Sequence, residues 1–173
     1  MRARQFWKTV TVDTTDFLDR FLALLAEHGI RYCAIGGQAV NAYADPVVSL
    51  DLDLVVAVDQ LAEAERLLRE RFVVERFEHR LNVSELGSDL RIQLQTDPRY
   101  FPFVERSTMS DVLGVRLPVA RIEDVLQGKI WAALERGRRP SKRQKDLADI
   151  ARLLEIRPDL RDQIPPEILA RLV

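Results

Sequence analysis

The stretch IGGQAVNAYADPVVSLDLDLV, Ile35 to Val55, decides how the rest of the chain reads. An apolar run from Tyr32 to Ile35 meets Gly36 and Gly37, a short helix-compatible segment follows, and a second apolar strand carries Asp51 and Asp53. Strand side chains alternate between faces, so Asp51 and Asp53 point one way while Leu50, Leu52 and Leu54 point into the core. Two like charges on one face are costly unless a cation lies between them. Glycine lets backbone N–H groups come close to a ligand, and a helix beginning near Gln38 aims its positive end at the same place, which suits phosphate. A phosphate cradle and a carboxylate pair, fourteen residues apart from Gly37 to Asp51, describe a site for a metal-bound nucleoside triphosphate.

This order of strand, Gly-Gly turn, helix and Asp-x-Asp strand resembles the minimal nucleotidyltransferase superfamily, on Ile35, Gly36, Gly37, Asp51 and Asp53. The resemblance implies an α/β (α+β) fold, with a small mixed β-sheet flanked by helices. It also implies transfer of a nucleoside monophosphate from an NTP to a hydroxyl, with Asp51 and Asp53 bridging two Mg²⁺ ions. Gly36 and Gly37 would hold the phosphates through their amides, with Gln38 and Ser49 as further nucleotide contacts. An unrelated α/β domain whose Asp pair binds a structural cation is the alternative reading of the same residues.

At 173 residues, 47% hydrophobic and 31% charged, the chain suits one globular unit with a sizeable core. Twenty-six basic and twenty-seven acidic residues give a net charge of −1, which offers no global case for nucleic-acid binding. No apolar run reaches membrane-spanning length and MRARQFWKTV lacks a signal-peptide core, so the expectation is a cytoplasmic protein without membrane contact. Cys33 is a single cysteine within an apolar strand, expected in the core.

The pattern predicts a helix over 16–28, capped by Thr14 or Thr15 and stopped by Gly29, then strand 31–35, helix 38–44 and strand 50–58. Asp59 is expected to cap a helix over 60–71. Strands follow at 72–74, 81–83 and 90–95, the last with Leu90, Ile92 and Leu94 on one face and Arg91, Gln93 and Gln95 on the other. Short strands about 112–119 precede helices over 122–136, 142–155 and 167–172. The β-rich part to Ala120 reads as an α/β core, and 121–173 as a helical part packed on it with a cleft between.

The helical part carries Lys129, then Asp146 and Asp149 on one face of the next helix. This arrangement resembles the AbiEii-like toxin branch of the nucleotidyltransferases, where a lysine on one helix and Asp-x-x-Asp on the next face the nucleotide. The resemblance makes Lys129 and Asp146 candidate catalytic residues, Lys129 and Arg143 nucleotide contacts, and an antitoxin an implied partner. The local alternative is that Asp146 and Asp149 pair with Arg143, Lys145 or Arg152 while Lys129 reaches solvent. Six basic residues among the ten from Arg136 to Lys145 could hold a triphosphate or an RNA backbone, or form a solvated loop. The acceptor hydroxyl could belong to RNA, protein or a small molecule. The strand over 90–95 is where the family usually supplies a third carboxylate, and Gln93 stands there as a possible neutral metal ligand. Asp89 or Asp97 could substitute only if the strand bends. A nucleotide-binding regulatory protein that has lost turnover is the rival that this substitution motivates.

Overall fold

The computed structural model describes residues 16–112 and 114–172, so the expected cap at Thr14 or Thr15 lies outside the described residues. Helix α1 (Phe17–Glu27) buries Phe17, Leu18, Phe21, Leu24 and Leu25, the helical spacing read from the sequence. After β1 (Tyr32–Ile35), helix α2 (Gly36–Val40) starts at Gly36 itself rather than at Gln38, because Gly36 takes φ +68° and turns the chain within one residue. Strand β2 (Asp51–Val56) is shorter than expected at both ends: Leu50 is only half-buried, and Val58 opens a 3-10 turn, Val58–Gln60. Asp59 does not cap α3 (Leu61–Arg71); its carboxylate accepts from Arg31 at 2.7 Å, and Gln60 takes the cap position.

Strands β3 (Val73–Arg76) and β4 (Arg80–Ser84) form a hairpin, and β5 (Arg91–Gln95) lies beside β4. A 3-10 turn, Pro98–Tyr100, and a short helix α4 (Pro102–Glu105) follow; the sequence reading gave neither. Strands β6 (Thr108–Val112) and β7 (Val115–Val119) precede α5 (Ile122–Leu134), α6 (Pro140–Ile156), a last 3-10 turn over Pro158–Gln163 and α7 (Pro166–Leu169). Proline needs no N–H partner in a first helical turn, so α6 begins at Pro140, and the basic residues from Lys142 to Lys145 lie on a helix instead of in a loop.

The seven strands form one mixed sheet in the order β3-β4-β5-β2-β1-β7-β6. Strand β2 runs antiparallel to β1 and parallel to β5, and β1 runs parallel to β7. Leu52, Leu54, Ile92 and Leu94 are each at most 1% exposed, and burying such side chains stabilises by about 1.5–3 kcal/mol apiece. Helix α2 packs against β1, β2, α5 and α6, joining the sheet to the helical part. A single buried cluster runs from Phe17 to Ile168, so strands and terminal helices share one core.

Candidate active site

The strand registers assemble the site. Asp53 of β2 stands opposite Ile35 of β1 and Gln93 of β5, and Asp51 stands opposite Arg91. Both carboxylates line a cleft of about 400 Å³, with Gly36, Gln93 and Gln95 beside them. The hairpin tip Phe77–Arg80 forms one wall, and Lys129, Arg138, Lys142 and Asp146 form the other. A Cβ at Gly36 would collide with the Asp53 carboxylate and lie 3.1 Å from Asp53 Cβ, in a left-handed conformation that other residues rarely take. Gly36→Ala is therefore expected to displace Asp53, lowering thermal stability by several degrees and metal-dependent nucleotide binding by at least tenfold. A variant matching wild type in a melting curve and in nucleotide titration would refute that close fit.

Both acids face cations. Arg91 Nε lies 2.7 Å from Asp51 Oδ1 and Lys142 Nζ lies 3.5 Å from Asp51 Oδ2. The Arg91 contact is ionic without hydrogen-bond alignment, so Asp51 Oδ1 remains a buried acceptor without a hydrogen bond. Asp53 Oδ1 is also buried and accepts none. Burial pushes the Asp53 carboxyl up to about 6, with nearby Asp51 adding to the rise, and Lys129, Lys142 and Arg138 oppose it without cancelling it.

Across the cleft, Lys129 Nζ sits 2.8 Å from Asp149 and 3.2 Å from Asp146, while Arg138 donates to Asp146 at 2.8 Å and Arg152 to Asp149 at 2.8 Å. The Asp146 side chain is 1% exposed and that of Lys129 11%. Burial alone would lower the Lys129 ammonium, but Asp149, Asp146 and Asp53 outweigh it and hold the group above its ordinary value. Lys129 therefore stays charged within a dense ion network; it does not reach out to solvent.

Other expected contacts sit elsewhere. Gln38 is fully buried and donates to Ser49 O, while accepting from Asn41. Ser49 Oγ accepts the Asp51 N–H. These two residues brace the segment leading into β2 and do not line the cleft. Arg143 donates to the carbonyls of Ala133 and Glu135, closing the end of α5, so it too is absent from the cleft lining. Gly37 lies behind Gly36, where an added Cβ would meet Asp149 at 3.8 Å. Asp89 is exposed at the outer end of β5, and Asp97 is bound to Arg99 while capping the 3-10 turn; neither lines the cleft. Strand β5 thus supplies Gln93 and Gln95 where the family resemblance implies an acid.

Several participants escaped the sequence reading. Arg91 pairs with Asp51 only through the parallel register of β2 and β5. Phe77 and Arg80, whose guanidinium stacks 4.6 Å over the Phe77 ring, enter the cleft through the width of the hairpin. Asn41 and Arg152 secure the loop before β2: Asn41 bonds both N–H and C=O of Val47, and Arg152 donates to Asn41 and to the Asp45 carbonyl. A polar residue shortly after a Gly-Gly turn was the one local signal for Asn41.

A mixed sheet that sets a Gly-Gly turn beside an Asp-x-Asp strand, under a pair of helices bearing lysine and acids, defines the class: this is a nucleotidyltransferase. The model of the family described as nucleotidyl transferase AbiEii toxin of type IV toxin–antitoxin systems matches residues 16–172, and the chain belongs to that family. Among solved structures, ANT(2″)-Ia in complex with adenylyl-2″-tobramycin is similar in fold at TM-score 0.62 and 14% identity, over 91% of this chain and 98% of that one. Lincomycin-bound lincosamide antibiotic adenylyltransferase LnuA gives 0.56 at 15% identity, over 83% and 98%. An antigenic nucleotidyltransferase-like protein from Paracoccidioides brasiliensis gives 0.54 at 22%, over 86% and 82%. No curated protein matches the chain. No helix among the described residues is long and apolar enough to cross a membrane.

Proposed function

We propose that this chain moves a nucleoside monophosphate from a metal-bound NTP to a hydroxyl of RNA or protein, as the toxin of a toxin–antitoxin pair whose antitoxin restrains it. The observation that carries the reading is the Asp51 and Asp53 pair on the cleft floor, with Gly36 against Asp53 and Lys129, Arg138 and Lys142 opposite.

The donor set fits a divalent cation. Asp53 Oδ1 is buried without a partner, Asp51 Oδ2 is held only loosely by Lys142, and the Gln93 amide is within the same cleft. Bound there with the triphosphate, a Mg²⁺ ion would supply charge neutralisation at the phosphates. The chain's residues do the rest. The N–H groups that open α2, from Gly36 onward, have no partner within the helix and serve as phosphate donors. Lys142 exchanges its contact with Asp51 for a phosphate oxygen, and Lys129 and Arg138 keep the cleft positive beside it. The acceptor oxygen bonds to the α-phosphorus, the bond from that phosphorus to the bridging oxygen breaks, pyrophosphate leaves, and the hydroxyl proton passes to water. With Gln93 in place of an acid, no carboxylate of β5 takes that proton.

A second reading, nucleotide binding without turnover, is favoured by Gln93 itself. One experiment separates the two: calorimetry with each of ATP, CTP, GTP and UTP with Mg²⁺, then release of labelled pyrophosphate with RNA and protein acceptors. Turnover supports transfer, binding alone supports the second reading, and the absence of both is incompatible with a nucleotide site.

Arg136, Arg139 and Lys145 are exposed and make no ion pair among the described residues, whereas Arg138, Lys142 and Arg143 are engaged. Replacing these three by Gln is expected to leave the melting temperature unchanged and to flatten the salt dependence of RNA binding by up to about three in logarithmic slope. An unaltered slope for RNA would exclude this edge from phosphate contact.

A further inference from the structure

We infer that the Asp51 and Asp53 centre takes one divalent cation with its nucleotide where two would be expected, and that Arg91 and Gln93 are the reason. The inference rests on the nucleotide reading above and specifies the stoichiometry of that same site. A two-ion centre needs anionic ligands for four positive charges, shared between the triphosphate and the protein. This cleft offers two adjacent carboxylates on β2, and the cross-strand partners on β5 are Arg91 opposite Asp51 and Gln93 opposite Asp53. Among the described residues no group of three His, Cys, Asp or Glu side chains is placed to hold an ion.

The two carboxylates are not equivalent. Asp53 Oδ1 is buried without a hydrogen-bond partner, on a residue that lines the cleft, so its charge is left for an ion to compensate. Asp51 Oδ2 carries only the 3.5 Å contact with Lys142, which a phosphate can draw away. Asp51 Oδ1 is different, because Arg91 Nε already stands 2.7 Å from it. A magnesium ion bonded to that oxygen needs a distance of about 2.0–2.1 Å and near-octahedral surroundings, which would press a divalent charge against the guanidinium. Gln93 can lend a neutral carbonyl oxygen but no charge to offset the crowding. Asp51 and Asp53 would therefore hold one ion, and the exposed Arg91 guanidinium beside Asp51 Oδ1 sets a positive charge against a second. Arg91 acts as a positioning residue: it holds Asp51 by one oxygen and leaves the other for the ion.

The test counts Mn²⁺ bound to the full chain, by equilibrium dialysis with electron paramagnetic resonance, using the α,β-methylene analogues of ATP, CTP, GTP and UTP so that nothing turns over. The expected result is one Mn²⁺ per bound analogue without dipolar broadening, and two in the Arg91→Gln/Gln93→Asp variant. Gln93→Asp alone serves if the double variant melts early, and is expected to tighten Mn²⁺ binding at least tenfold. Two Mn²⁺ ions in wild type would overturn the inference and leave the proposed function standing. No Mn²⁺ with any analogue would overturn the nucleotide reading, and the inference with it. A double variant that still holds one ion, or a Gln93→Asp with unchanged affinity, would overturn the assignment to Arg91 and Gln93.

Discussion

Asp53→Asn is expected to stabilise the metal-free protein by about 3 kcal/mol above pH 6 while removing nearly all transfer activity. The Asp53 carboxyl rises from 3.8 to about 6 on folding, chiefly because burial penalises its charge, and a rise of about two pH units corresponds to about 3 kcal/mol. The sign follows from proton binding. Between about pH 4 and 6 the folded chain holds this proton and the unfolded chain releases it, so stability falls as pH rises through that window and the full loss persists above it. Asparagine has no such window. Urea midpoints measured with a chelator from pH 4 to 7.5 should therefore fall for wild type, while the variant lacks this part of the decline. Under the proposed function Asp53 would hold the cation, so in transfer assays its loss is expected to remove several kcal/mol of transition-state stabilisation, on the order of a thousandfold. Equal stabilities at pH 7.5 would show that Asp53 is not strained by its own charge. Asp51→Asn should gain less, because Asp51 already has Arg91 and Lys142 beside it.

Lys129→Met should have the opposite effect on the fold, destabilising it by about 3 kcal/mol at neutral pH, because removing one partner from a buried ion network leaves the others under-compensated. The ammonium lies between Asp149 and Asp146, and methionine fills the same volume without the charge. Arg138 and Arg152 still hold those acids, which places the cost at the low end of the range for a broken buried pair. Lys129 also lowers the cost of a charged Asp53, so nucleotide affinity should fall as well. Adding Asp149→Asn removes the surplus negative charge. The double variant is expected to regain at least half of the lost stability and none of the nucleotide affinity. Recovery of both would mean that Lys129 affects the nucleotide only through folding. A single variant as stable as wild type would show that the network contributes no net stability.

Much of the architecture could be read locally. Glycine freedom after Ile35, the two-residue period through Asp51 and Asp53, and the helical spacing of Phe17, Phe21, Leu24 and Leu25 are signals contained within a few residues. They determined the strand-turn-helix-strand order, the family resemblance and the acid pair. What surrounds that pair was decided by pairings far apart in sequence. Asp51 meets Arg91 through a parallel register and Lys142 across 91 residues. Gln38, Ser49 and Arg143 had the chemistry of nucleotide contacts, yet backbone groups left over by a loop and a helix end claimed them first. The missing acid also needed the fold, because Asp89 and Asp97 share the phase of Gln93 in sequence while only Gln93 and Gln95 reach the cleft. Residue type and spacing specify which side chains can bind a charged ligand; strand register and helix docking specify which of them remain free to do so.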